Sequence, residues 1–203
     1  VTTHTGTVAI TDAPTLAQLV TINAASTGAI TLTTADGALS GSAANLVLAF
    51  AGTVTTHTGT VTITDAPTLA QLVTINAETT GDITLNSAAA AYSGSAADLV
   101  AAFAGTVTTH TGTVEVTDAL SVANANTIDA ATSGVITATI TDDATDLATL
   151  TGTGNAYTIT LNNDDAATLA ELVTINAATT GAITLNTSTI AANYSGSSAN
   201  LAS

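Results

Sequence analysis

The sequence contains no lysine and no arginine, against 15 aspartates and glutamates, so its formal net charge is −15. Without basic side chains there is no phosphate-binding patch, no arginine fork and no P-loop lysine. Nucleic acids and anionic membrane surfaces are therefore poor partners for this chain. A surface without lysine or arginine also presents no cleavage site to trypsin-like proteases, which fits an extracellular or cell-surface location.

Cysteine, tryptophan and methionine are absent as well, and the aromatic residues are two phenylalanines and three tyrosines. The absence of cysteine excludes a disulfide framework and a thiolate metal site. Hydrophobic residues make up 46% of the chain and are mostly Ala, Val, Ile and Leu, a set that suits tightly stacked coils. No apolar run is long enough to span a membrane, so membrane insertion is not expected. The missing initiator methionine predicts a processed product or an excerpt of a longer protein.

One phrase, LAQLVTINAASTGAITLT, recurs along the chain, and each copy reads as a helical stretch, a Thr/Ser-Gly stop and a short alternating strand. The copies occupy 16–33, 69–86, 169–186 and, in diverged form, 122–139. The phrase is part of a longer repeat of 53 residues. Residues 1–53 and 54–106 align without a gap, and 107–203 is a degenerate continuation. A chain that repeats one supersecondary unit is most simply a solenoid.

Within each unit, the local patterns predict short strands and helices. Thr7–Thr11 alternates between two faces, which indicates a half-buried strand. The helix that follows places Leu16, Leu19 and Val20 on one apolar stripe. The second strand and the second helix of the unit show the same two periodicities.

The helix ends also have sequence signals. Asp12, Asp65 and Asp118 follow strands at equivalent places, and we predict that each caps the helix that comes next. We expect Gly28 to end the first helix in the left-handed conformation and Gly52 to end the second.

The pattern predicts eight strands, with starts roughly 21 to 32 residues apart, which leaves room for one crossover helix between successive parallel strands. One face of nearly every strand carries Thr, Ala, Glu or Asn, whereas a doubly wound sheet would show continuous apolar runs. We therefore predict one α/β repeat solenoid over 1–203, with one strand and one helix per coil. All helices should lie on one face of a parallel sheet, and the Thr-rich face should stay open; a doubly wound sheet is the alternative.

Two acidic clusters are candidate cation sites. Asp142, Asp143 and Asp146 form the first, and Asp164 and Asp165 form the second, beside two asparagines. Ca²⁺ takes six to eight oxygen ligands from clustered carboxylates and carbonyls. Neither an EF-hand loop nor a GGxGxD repeat is present. No cofactor is required by the sequence, and Ca²⁺ is the one that these clusters would hold.

His4, His57 and His110 share the motif T-H-T-G at equivalent places in the repeat. Two coils separate them, which places them roughly 10 Å apart. Imidazole ligands lie about 2 Å from a metal, so one ion cannot bridge the row. We therefore interpret each histidine as a turn residue that recurs because the unit recurs. A pH-sensitive lateral contact is the alternative.

Four residues occupy one position near the end of the repeated helix: Asn23, Asn76, Asp129 and Asn176. In a solenoid, such side chains commonly bond the backbone of the adjacent turn. We predict that they form an internal structural ladder.

The outward positions of the predicted strands form rows of threonine. The rows comprise Thr7, Thr11, Thr31, Thr33, Thr60, Thr62, Thr64, Thr137, Thr139, Thr158 and Thr160. Flat T-x-T arrays resemble the ice-binding faces of several unrelated antifreeze proteins, although Ala9, Asp82 and Glu115 interrupt this one. Threonine is also favoured on any exposed strand. A packing surface for another subunit is the preferred interpretation of the Thr-rich face.

The sequence offers no catalytic constellation, and we predict that the protein is not an enzyme. Gly152-Thr153-Gly154 lacks the third glycine and the strand-then-helix context of a dinucleotide-binding loop. No serine sits in a G-x-S-x-G elbow. In so acidic a chain, two neighbouring carboxylates are not specific evidence for a catalytic site.

The stretches VTITDAPTLAQLVTINAETTGDITLN at 61–86 and LSVANANTIDAATSGVITATITD at 120–142 resemble repeats of giant secreted or cell-surface proteins of marine cyanobacteria and other bacteria. The resemblance covers nearly the whole chain but includes no site motif. It implies a secreted, acidic, adhesive or matrix-forming protein, with Ca²⁺ in some cases.

These observations together predict an extracellular structural protein that forms a surface fibre. The sequence opens at a T-H-T-G turn and ends at Asn200–Ser203, midway through the second helix of a unit, which favours head-to-tail stacking of copies. Other matrix or surface components are further expected partners. Two alternatives are a Ca²⁺-dependent adhesin repeat domain and an ice-binding module that uses the Thr-rich face.

Overall fold

The computed structural model describes residues 3–104, 107, 110–162 and 166–195. Within these ranges the chain forms ten strands and eight helices, which alternate along much of its length. The strands are β1 (Val8–Ile10), β2 (Ile30–Leu32), β3 (Leu39–Gly41), β4 (Val61–Ile63), β5 (Ile83–Leu85), β6 (Tyr92–Gly94), β7 (Val114–Ala119), β8 (Ile136–Asp142), β9 (Ala156–Leu161) and β10 (Ile183–Thr184). The helices are α1 (Leu16–Ala24), α2 (Ala43–Phe50), α3 (Leu69–Ala77), α4 (Ala96–Phe103), α5 (Val122–Ala131), α6 (Ala144–Leu147), α7 (Leu169–Ala178) and α8 (Thr187–Ala191).

The strands form three parallel sheets, β1-β2, β3-β4-β5 and β6-β7-β8-β9-β10. The predicted single sheet of eight strands is therefore wrong, whereas the parallel α/β class is confirmed. The sheet breaks at two places where one strand follows another directly. β2 pairs back with β1 whereas β3 pairs forward with β4, and β5 pairs back with β4 whereas β6 pairs forward with β7. An isolated parallel bridge between Ile30 of β2 and Val54 extends the sheet β1-β2 by one residue pair.

The chain divides into two compact units, the first built from residues 1–90 with 98–111 and the second from 91–97 with 112–203. In the first unit, α2 packs against both α1 and α3. In the second, α6 packs against α7. Each unit has its own parallel strand pairs and its own buried aliphatic residues.

Alternation along the strands places aliphatic side chains inside and hydroxyl side chains outside. In β4, Val61 and Ile63 are fully buried and Thr62 between them is half-buried. The register places aliphatic residues of adjacent strands side by side: Leu39, Val61 and Ile83 are lateral neighbours in one sheet. Period two in the sequence thus becomes an inner aliphatic face and an outer polar face.

The repeated helix begins with a capping box. Thr15 is the N-cap of α1, and its side chain and that of Gln18 each bond the other's backbone N–H. Thr68 and Thr168 repeat the arrangement at α3 and α7. The predicted caps at Asp12, Asp65 and Asp118 are wrong for the helices that follow them, because the N-caps lie three residues further on. These N-caps are Thr15, Thr68 and Ser121.

Gly28 does not adopt the left-handed conformation that was predicted for it, since the described glycines with positive φ are Gly52 and Gly154. Gly28 is needed for a different reason: a Cβ there would overlap the carbonyl group of Gly6 in the neighbouring coil. Gly81 approaches the carbonyl of Gly59 in the same way. These glycines allow the backbones of successive repeats to come into contact. Gly52 has a φ of 79°, two residues beyond α2, as predicted.

Candidate functional site

Two segments with almost the same sequence lie in different surroundings. Residues 1–24 and 54–77 differ in one place, where Ala9 corresponds to Thr62. In the second segment Ile75 is fully buried and His57 is 2% exposed. Their counterparts in the first segment, Ile22 and His4, are half-buried and exposed. Because the sequences match, the difference must come from what covers each segment.

The second segment is covered by the strand and helix that precede it in the chain. Strand β3 pairs with β4 in the register Leu39 to Val61 and Gly41 to Ile63. Helix α2 packs on α3, and its Phe50 ring lies 5.8 Å from the ring of His57. The edge of β4 and the outer side of α3 are therefore both occupied.

Polar contacts fix the same junction. The Asp65 Oδ1 accepts the backbone N–H of Ala43, the first residue of α2, at 2.8 Å. The His57 Nε2 lies 2.7 Å from the carbonyl oxygen of Gly37 and donates to it in the Nε2–H tautomer. Asp65 thus caps a helix, but it is the helix of the preceding coil rather than its own.

The same contacts occur at the next copies of the motif. In the second unit, Asp118 Oδ1 accepts the N–H of Ala96 at 2.7 Å. In the first unit, the Nε2 of His110 lies 2.8 Å from the carbonyl oxygen of Ala90. The histidines at both later positions are buried, so they are junction residues rather than exposed turn residues.

The first segment presents the same surface without a cover. Among the described residues, β1 has one strand neighbour, β2. An open groove, which we call the first-coil groove, lies beside it. Its lining includes Ile10, Asp12, Pro14, Ala17 and Ile22. This groove corresponds in sequence to the surface that α2 and β3 cover in the second segment.

The predicted asparagine ladder joins helix ends. The Asn23 amide donates to the carbonyls of Leu48 and Ala51 at 2.9 and 2.6 Å. Asn76 donates to Ala101 and Ala104 at 2.8 and 3.0 Å. These carbonyls lie in or just after the last turn of α2 and α4, where the C=O groups have no N–H partner within the helix.

The other two ladder positions behave differently. Asp129 accepts a bond from the amide of Asn155 at 2.8 Å, because a carboxylate cannot donate to carbonyls. Asn126 bonds the next coil instead, through the Thr149 carbonyl at 3.0 Å. Asn176 is exposed, and among the described residues no hydrogen bond of its side chain is found.

The acidic cluster of Asp142, Asp143 and Asp146 brings three carboxylates within 4.8 Å of one another. Asp143 is the N-cap of α6 and accepts the N–H of Asp146 at 2.9 Å, and Asp142 accepts the N–H of Asp143 at 3.0 Å. Helix capping accounts for this proximity. Three carboxylates supply at most six oxygens, the lower end of what Ca²⁺ takes, and one oxygen of Asp142 and one of Asp143 already accept backbone N–H groups. Asp164 and Asp165 lie outside the described residues.

The outward threonines are mostly exposed, and Thr62 and Thr160 are half-buried. In the longest sheet, Thr139 pairs with Thr158 across adjacent strands. Glu115 interrupts the row and accepts a bond from the Ser93 hydroxyl at 3.1 Å. The threonine rows are divided among three sheets, so they form several short arrays.

The buried His110 predicts a pH-dependent stability. Burial lowers the pKa of His110, and its hydrogen bond to Ala90 offsets part of that effect. The unfolded state therefore binds a proton more readily, so stability should fall as the pH drops below about 6.5. We expect thermal unfolding between about pH 7.5 and pH 5 to show this decline, and His110→Gln to make it shallower. An unchanged pH profile in the variant would contradict this assignment.

Within the described ranges, none of the helices combines the length and the hydropathy that a bilayer crossing requires. Comparisons with protein-family models, with curated proteins and with solved structures return no match for this chain.

Proposed function

We propose that this chain is an extracellular structural protein whose copies stack head to tail into a filament of β/α solenoid coils. The observation that carries the proposal is the first-coil groove. The second segment buries this surface under β3 and α2, whereas the first segment leaves it open. A second copy that supplies an equivalent strand and helix would continue the packing of one coil on the next.

The open surface combines two kinds of adhesion. An unpaired strand edge presents N–H and C=O groups to any chain that can pair with it. The partly exposed apolar lining beside it, including Pro14 and Ile22, gains free energy when water is removed. A contact between two different surfaces of the same molecule does not close on itself unless a rotation completes a ring. Repetition of such a heterologous contact generates a filament.

Charge opposes this assembly and should make it salt-dependent. Each copy carries a formal charge of −15, so neighbouring copies repel one another. At physiological ionic strength the screening length is about 8 Å, and it shortens as salt is added. Divalent cations near exposed carboxylates would reduce the repulsion further. The Thr-rich face is left for lateral contacts with other copies or matrix components.

Negative-stain electron microscopy and sedimentation test the proposal on the full chain. We expect filaments that become more abundant as NaCl or Ca²⁺ is raised, because both screen the repulsion. The matched control is the same sample at low ionic strength with a chelator, which should stay dispersed. Folded, dispersed monomers under every condition would overturn the filament proposal.

The acidic cluster favours a second candidate, a Ca²⁺-dependent adhesin repeat domain. In that case the monomer would lose folded structure reversibly on chelation and regain it with Ca²⁺ but not with NaCl at equal ionic strength. Thermal hysteresis of ice growth in the same sample would support an ice-binding module. The short, divided threonine arrays make that third candidate the weakest.

A further inference from the structure

We infer that a polar pocket at the end of α5 binds a hydrated divalent cation, with Asp129 as the carboxylate ligand. The pocket, which we call the Asp129 pocket, is lined by Asp129, the segment 132–135 and the loop 151–155. All of these residues belong to the second unit. The inference is independent of the proposed filament, because the pocket lies within one chain, and it does not involve the acidic cluster at α6.

Asp129 stands where the other three copies of the repeated helix carry asparagine. In the first copy, the Asn23 amide donates to the carbonyl of Ala49, which lies 26 residues further on. In the diverged copy, the residue 26 positions further on is Asn155, and its amide donates to the Asp129 Oδ1. The direction of the hydrogen bond is reversed. This exchange of donor and acceptor accounts for one oxygen of the carboxylate but not for the other.

The second oxygen of the carboxylate is left for a ligand. Among the described residues, no donor bonds the Asp129 Oδ2, and the side chain is half-buried at the wall of the pocket. Asn155 is 3% exposed, and its Oδ1 accepts the N–H of Ile136 at 2.9 Å. Its amide is therefore fixed between two partners, and it orients the carboxylate.

The loop beside the carboxylate supplies further oxygen atoms. A Cβ at Gly152 would overlap both the Asp129 carboxylate and the Asn155 amide, so glycine allows the loop to pass over this pair. Within the described ranges, the carbonyl groups of Gly152 and Thr153 accept no hydrogen bond. Thr153 and Ser133, which carry hydroxyl groups, also line the pocket. Carboxylate, carbonyl and hydroxyl oxygens are thus available in one place.

The electrostatic environment of the pocket favours a cation. The chain has no lysine or arginine that could pair with Asp129. Asp129 also lies in the last turn of α5, where the helix dipole is negative and a carboxylate is unfavourable. Burial raises the pKa of Tyr157 in β9, and the charge of Asp129 raises it further, so the field of this carboxylate reaches the core. A bound cation offsets these costs, whereas an anion would add to them.

The donor atoms identify the class of cation. Oxygen ligands are those that Ca²⁺ and Mg²⁺ prefer. The pocket has a volume of about 320 Å³, which leaves room for the water molecules that complete the coordination of the ion. A single carboxylate makes a weak site. We expect a Kd for Ca²⁺ of about 10⁻⁴–10⁻³ M, the range of extracellular modules.

Calorimetric titration of the full chain with CaCl₂ at constant ionic strength tests the assignment. Asp129→Asn keeps the Oδ1 that accepts from Asn155 and introduces the residue of the other three copies, so the fold should be retained. We expect the Kd of this variant to rise more than about ten-fold, at an unchanged or higher melting temperature without Ca²⁺. Asp146→Asn, which removes a charge from the acidic cluster, should leave the Kd unchanged.

Two outcomes of this titration would contradict the inference. One is saturable binding that is equally tight in Asp129→Asn and in the unmodified chain, and the other is the absence of saturable binding. Weakening by Asp146→Asn alone would be an instance of the first and would assign the ion to the acidic cluster. None of these results bears on filament formation in NaCl, which tests the proposed function separately.

Terbium luminescence locates the ion in a second measurement. Tb³⁺ occupies oxygen-lined Ca²⁺ sites and emits when a nearby tyrosine is excited. Tyr157 lies close enough to Asp129 for that charge to raise its pKa. We therefore expect a sensitised emission that Ca²⁺ displaces and that Tyr157→Phe abolishes. Tyr194→Phe is the matched control and should retain the signal. Emission that depends on Tyr194 and not on Tyr157 would overturn the inference.

Discussion

Gly59→Ala is expected to lower the free energy of unfolding by about 3 kcal/mol, the upper end of the usual cost of overpacking a tight site. The added methyl group would overlap the carbonyl of Asp36, and backbone is harder to displace than the end of a flexible side chain. Relief requires β3 and β4, which are paired in one sheet, to move apart. Urea unfolding followed by circular dichroism measures the loss.

Gly6→Ala is the matched control, since the same substitution is made in the same motif. Its Cβ meets the His4 side chain at 3.2 Å, and neither glycine has a positive φ. The stability should change by less than about 0.5 kcal/mol, and reduced freedom of the unfolded chain can make the change favourable. Equal destabilisation by the two substitutions would mean that the close approach at Gly59 is not what requires glycine there.

Phe50→Ala should destabilise the chain by about 3–5 kcal/mol, the range for removal of a large aromatic side chain from a core. The Phe50 side chain is 2% exposed, and its ring lies 5.8 Å from that of His57. The cavity would form at the junction of α2 with the segment it covers, so His57 would lose its neighbour as well. Thermal and urea unfolding of the purified variant provide the measurement.

Leu48→Ala on the same helix separates core packing from helix propensity. Leu48 is 54% exposed, and its contact with Asn23 uses the backbone carbonyl, which the substitution leaves in place. We expect a change within about 0.5 kcal/mol. If Leu48→Ala were as costly as Phe50→Ala, the orientation of α2 described above would be incorrect.

Local features of the fold were readable from the sequence because they depend on neighbouring residues. Period-two alternation located the strand Val8–Ile10, and the leucine stripe located the helix Leu16–Ala24. The cap of that helix was misplaced at Asp12 although Thr15 and Gln18 form a capping box. Asp-Ala-Pro is an equally good start signal in isolation, and competing local signals are resolved by the geometry of the whole coil.

Longer-range features were only partly predictable. Asn23 and Asn76 contact the next coil through helix-end carbonyls, and the repeat position alone did not specify those acceptors. The division into three sheets depends on β3 pairing with β4 rather than with β2, and on β6 pairing with β7 rather than with β5. These pairings depend on how the connecting residues 33–38 and 86–91 position the strands that follow them, which no periodicity encodes. Asp65 and Asp118 were recognised as caps but were assigned to the wrong helices.

The sequence by itself determined most of the elements, their repetition and the acidic composition, because composition and periodicity act within a few residues, but the strands Leu39–Gly41 and Tyr92–Gly94 were not among the eight predicted. Tertiary structure alone decided the environments of residues 1–24 and 54–77, which are nearly identical in sequence. His57 lies buried beneath the preceding coil, whereas His4 is exposed. Burial depends on the strands and helices that pack against a segment, and those neighbours are set by the tertiary structure and not by the segment's own sequence.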